Sequence, residues 1–187
     1  MHRRFALVLA LALAAALALP AAAGSGRSVD GMLSGTVTLA SFDLQQRCGA
    51  KPGGTPAKKT LVVRCSQIGA FQGKPARAGV SYVWTWTLEV GADNRTTGRG
   101  PETGKLGLNF GGGNIVYVAT KGFQKPVGTS VPGKKSQAKT TGTWKVTTGG
   151  TAEYNGARGS GTYTYSTTLE NGRSFTVAKL TLRGTIR

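Results

Sequence analysis

Gly149-Gly150-Thr151-Ala152-Glu153-Tyr154-Asn155-Gly156-Ala157-Arg158-Gly159-Ser160-Gly161 runs straight into Thr162-Tyr163-Thr164-Tyr165. Five of the first thirteen residues are glycine. Glycine at this density ahead of a strand marks positive φ angles, or neighbours too close for a Cβ. The stretch therefore predicts a tight corner that feeds the chain into a β-strand.

Working outward, apolar and polar residues alternate along much of the chain, broken by Gly, Pro and Asn clusters. The clearest case is 80–90. Val80, Tyr82, Trp84, Trp86, Leu88 and Val90 share one face, and Ser81, Thr85, Thr87 and Glu89 the other. A helix would scatter those aromatics around its axis. About eight strands are expected: 33–46, 60–68, 80–90, 104–110, 114–121, 140–148, 161–169 and 173–186. Gly111-Gly112-Gly113-Asn114 and Asn171-Gly172 supply turn chemistry between neighbours. Phase changes near Ala40 and Ala178 predict bulges.

The fold class is thus all-β, a single antiparallel barrel of about eight strands. Closure buries one apolar face and leaves no sheet edge unpaired. A two-sheet sandwich is the alternative. Strongly bent strands need residues without side chains, which favours the barrel.

Residues 149–165 also resemble the GGTGxFxGAxGxG signature of the allene oxide cyclase and dirigent group of small β-barrels. Two positions differ: Ala152 stands where that pattern has a third glycine, and Tyr154 replaces Phe. The order from Gly142 to Ile186 is similar to the group's C-terminal half, whereas the first half carries no matching motif. The resemblance implies an eight-stranded barrel with a cavity, often trimeric. Its enzymes guide cyclisation or radical coupling of hydrophobic molecules. Their catalytic positions have no counterpart that can be aligned here.

The first residues read as a secretory signal peptide over 1–23: basic Arg3-Arg4, an apolar run Phe5 to Leu19, then small residues to Gly24. Residues 24–31 are expected to be a disordered leader and 32–187 the single barrel domain. The expected location is secreted or periplasmic, with no membrane span after cleavage. The chain carries a formal net charge of +17 and one histidine, His2, which falls inside the signal peptide. Cys48 and Cys65 are the two cysteines. In an exported chain that pairing predicts a disulfide, with two free buried thiols or a redox pair as alternatives.

Loss of His2 excludes Ser-His-Asp and Cys-His catalysis and most zinc or copper sites; no metal and no cofactor are expected. Acid–base work is left to seven carboxylates, most of them read as solvated residues at turns or strand ends. Asp43, inside a strand, is the candidate for an interior catalytic group. Tyr82, Trp84, Trp86, Tyr117, Tyr163 and Tyr165 could line a pocket for a hydrophobic ligand, or fill the core or a subunit interface.

The basic residues lie in long acid-free tracts. Residues 121–139 read as a mobile loop holding Lys121, Lys125, Lys134, Lys135 and Lys139, suited to a polyanion or a cell-envelope component. No stacking aromatics are interleaved, so no specific nucleic-acid module is expected. The expected function is a secreted barrel that binds a small hydrophobic ligand or an acidic envelope polymer without catalysis. The alternative is a cofactor-free enzyme that steers cyclisation or coupling, and a homotrimer is a third expectation.

Overall fold

The computed structural model describes residues 31–40, 42–43, 47–128, 136–147, 150–170 and 174–187, with 42–43, 169–170 and 174–177 described by backbone alone. The expected signal peptide, Lys134, Lys135 and the Asn171-Gly172 turn lie outside the described residues. Eleven strands follow in chain order: β1 (Gly31–Met32), β2 (Ser34–Leu39), β3 (Phe42–Asp43), β4 (Cys48–Thr55), β5 (Lys58–Lys74), β6 (Ala78–Glu89), β7 (Gly100–Asn109), β8 (Ile115–Val127), β9 (Ser136–Val146), β10 (Gly159–Glu170) and β11 (Ser174–Ile186). Among the described residues a single 3₁₀ turn, Ala152–Tyr154, interrupts them. No helix among the described residues is long and apolar enough to cross a membrane.

From β5 to β11 each strand pairs antiparallel with the next, and β2 joins β11 to β5. The eight strands β2 and β5–β11 thereby close into a barrel. β1 and β3 extend the edge of β11, and β4 folds back on β5. Alternation built this ring. Along β6, Ala78, Val80, Tyr82, Trp84, Trp86 and Leu88 are all buried, while Gly79 and Ser81 are exposed. The same period places Leu106 and Leu108 of β7, Val116 and Val118 of β8, and Leu180 and Leu182 of β11 inside.

The glycine-rich corner closes one end. The Thr151 amide donates to Ile115 O (3.0 Å) and the Glu153 amide to Asn114 Oδ1 (3.2 Å), stitching the segment over the turn between β7 and β8. Tyr154 plugs the end, stacked on Phe110 at 5.3 Å, which in turn meets Phe71 edge-on. A Cβ at Gly161 would lie 2.6 Å from Trp144 Nε1. Glycine there lets the buried indole pack against β11 and donate to Arg183 O at 3.3 Å. Ala152 has φ of 50°. The site where the signature carries glycine is left-handed here, and alanine occupies it.

Several sequence expectations need correction. The 48–55 stretch, left between the expected strands 33–46 and 60–68, is β4, and Cys48 stands directly opposite Cys65 in a disulfide-bonded hairpin. The flanks of the tract expected to be a mobile loop are strands: 121–127 and 136–139 belong to β8 and β9, with Lys125 paired opposite Lys139, and 129–135 lie outside the described residues. The strand expected at 104 begins at Gly100, before Pro101. The bulge expected near Ala178 is present, as a register shift between Phe175 and Val177. Near Ala40 the strand breaks but no bulge forms, since Leu39↔Ala178 and Phe42↔Phe175 keep one register.

Candidate functional site

The barrel interior is chemically polarised. Toward the end closed by Tyr154 it is apolar, with Phe71 and Phe110 beside aliphatic side chains. Toward the opposite end, which bears residues 89–100, buried polar groups gather: Gln67, Glu102, Thr120, Gln124, Thr140 and Thr167. Glu102 is their centre and is wholly buried.

Three strands aim hydroxyls at this one carboxylate. Tyr82 of β6 donates to Oε1 at 2.7 Å, and Thr120 of β8 donates to the same oxygen at 3.1 Å. Tyr163 of β10 donates to Oε2. The strands make room for these rings by omitting side chains. A Cβ at Gly104 would lie 2.7 Å from the Tyr82 ring, and one at Gly142 would lie 2.7 Å from that of Tyr163. Gly122, opposite Glu102 in the β7–β8 ladder, would collide with the Tyr163 hydroxyl. Interior glycines weaken strands; here the space they leave holds phenols.

The electrostatics follow from burial. Desolvation raises the Glu102 pKa above the ordinary carboxyl value, and the hydrogen bonds from Tyr82 and Thr120 pull it partly back. No cation is among its partners in the described residues. Burial, and then the Glu102 charge, push the Tyr82 and Tyr165 phenols well above their ordinary value. The group is thus a hydroxyl-ringed acid in a dry aromatic setting. Thr140 adds a buried hydroxyl with no hydrogen-bond partner among the described residues, and its methyl lies beside Gly122.

Five of the six predicted pocket residues converge here. Tyr82, Trp84, Trp86 and Tyr165 are buried in mutual contact, with ring centroids 4.9–6.2 Å apart. Tyr163 completes the Glu102 cluster, and the Tyr165 hydroxyl reaches Gln67 Oε1 at 3.5 Å. Tyr117 does not join them: it lies on the outer wall, 41 % exposed. The backbone of Asp43 pairs with Ser174, and its side chain is outside the described set.

Sequence reasoning missed Glu102 by reading it as a solvated strand-end residue. The signal was present: Leu106 and Leu108 set the inward phase, and stepping back by twos reaches Gly104 and Glu102. Gly100-Pro101 hid it by resembling a stop. Lys121, Lys125 and Lys139 are exposed on the outer wall. The described residues hold no group of three or more His, Cys, Asp or Glu able to bind a metal ion. No family model, no curated protein and no solved structure matches the chain.

Proposed function

We propose that this protein is an extracytoplasmic barrel that binds a small hydrophobic molecule bearing a hydrogen-bonding oxygen, in the polar half of its interior, and releases it unchanged. The observation that carries the reading is Glu102: a wholly buried carboxyl, held by hydroxyls alone, with the unpartnered Thr140 hydroxyl close by. Apolar side chains packed in place of the whole group would hold a barrel core at least as well, because burying an acid without a cation is costly. Groups kept at that expense concentrate at functional sites. The aromatic walls supply apolar contact, and the hydroxyls supply orientation. The Cys48–Cys65 disulfide fits an oxidising compartment.

Intrinsic fluorescence offers the test, since Trp84 and Trp86 border the site. Titration with a neutral naphthyl ketone should quench emission saturably, and Glu102→Gln or Thr140→Val should weaken binding several-fold. Absence of saturable quenching in the wild type, or unchanged affinity in both variants, would remove the proposal.

A second reading, a cyclase-like or dirigent-like enzyme, is favoured by one feature: its acid would have to sit inside the barrel, as Glu102 does. The resemblance at 149–165 points the same way. Turnover of a bound substrate that vanishes in Glu102→Gln, while binding persists, would select it over simple binding.

A further inference from the structure

Antiparallel register lines up residues from neighbouring strands into rows about 4.8 Å apart on the outer wall. Across β8, β9, β10 and β11 one row reads Lys125, Lys139, Ser166, Lys179. Four residues along the strands, a second reads Lys121, Thr143, Thr162, Arg183. A third reads Ala119, Lys145, Ser160, Thr185. Every cation named is exposed. Over 115–127, 136–146, 159–168 and 178–186 these strands carry no Asp or Glu. Glu170 ends β10 beyond these rows, but like charges directly opposite, as at Lys125 and Lys139, oppose pairing, and the wall's three rows hold no acid to offset them. Its counter-charge has to come from outside.

We propose that the outer wall of β8–β11 is a docking surface for a phosphodiester-linked polyol or sugar polymer, separate from the interior site. The cations are five lysines and one arginine. Lysine is a mobile point charge that binds phosphate from any direction, without the bidentate geometry that arginine's fork imposes on carboxylate and phosphate alike. The intervening Thr and Ser rows offer hydroxyl partners for a polyol backbone. Base stacking is poorly served: among the described side chains, Tyr117 and Phe123 are the aromatics facing outward here, six residues apart on β8, about 20 Å along the strand. Single-stranded nucleic acid needs closely spaced stacking platforms, so the wall favours a polymer without bases.

The test is equilibrium binding of the purified protein to poly(glycerol phosphate), to polygalacturonate and to an oligothymidylate, from about 50 to about 200 mM salt. The phosphate polymer should bind tightest, with affinity falling at least about tenfold across that range. Lys125→Glu, Lys139→Glu and Lys179→Glu together should weaken it at least about tenfold. Lys51→Glu, Lys58→Glu and Lys74→Glu, an equal charge change elsewhere, should have little effect. Equal losses in the two triple variants, salt-independent affinity, or tighter binding of either other polymer would overturn the proposal. Thermal melting confirms that both variants fold.

Discussion

The Tyr82 hydroxyl donates a 2.7 Å hydrogen bond to Glu102 Oε1, while Tyr163, 61 positions further along the chain, donates to the other oxygen. One carboxylate thus ties together β6, β7 and β10, and Thr120 adds β8. This connection makes the interior acid both a structural hub and the candidate site.

Replacing that acid has a defined cost. Glu102→Gln keeps the volume but turns two acceptor oxygens into one acceptor and a donor, which faces hydroxyls that had been donating. A loss of about 1–3 kcal/mol is expected, read from urea unfolding. Glu102→Ala, which leaves Tyr163 without its acceptor and Tyr82 and Thr120 with only each other, should cost more.

The raised Glu102 pKa gives stability a pH dependence with a definite sign. In the folded state the carboxyl holds its proton to higher pH than in the unfolded chain, so over that interval folded protein binds more protons. The contribution is complete below the ordinary carboxyl value of 4.5 and declines as pH climbs through the raised value. The stability of wild type relative to Glu102→Gln should therefore fall with rising pH from there, by at most about 1.4 kcal/mol per pH unit. A difference that is flat, or that rises with pH, would contradict a buried acid.

Ala152, at φ of 50°, carries a side chain in left-handed backbone. An L-residue there costs about 1–2 kcal/mol, and glycine returns part of the gain through its freer unfolded chain. Ala152→Gly is expected to stabilise by about 0.5–1 kcal/mol and raise the melting temperature; a lower melting temperature would refute the strain.

The Cys48–Cys65 bridge spans 17 positions and fastens β4 to β5. Replacing both cysteines with alanine should cost about 3 kcal/mol, chiefly by freeing the unfolded chain. Mass spectrometry of the untreated protein should show both thiols oxidised.

The barrel was legible because its signals are local. Period-two alternation in 80–90 and the glycines of 149–161 act over a few residues, and closure follows from the need to bury one face and hide two edges. What escaped depended on partners distant in sequence. β4 is a strand because β5 supplies its ladder and Cys65 its bridge, and its own Gly and Pro residues say nothing of this. Lys121, Lys125 and Lys139 looked like loop residues, although their place next to inward Thr120, Gln124 and Thr140 is what an outer barrel wall requires. Glu102 looked solvated because the hydroxyls that hold it arrive from three other strands. Tyr117 was grouped with the interior aromatics by residue type, when its phase against buried Val116 and Val118 placed it outside.

The most direct measurement is a carbon-13 NMR titration of the Glu102 side-chain carboxyl, with and without the naphthyl ketone. The account predicts a midpoint above the ordinary carboxyl value in the free protein, and a further shift of both resonance and midpoint when the ketone occupies the interior. A midpoint at the ordinary value, unmoved by the ketone, would mean an acid in contact with water and no ligand beside it.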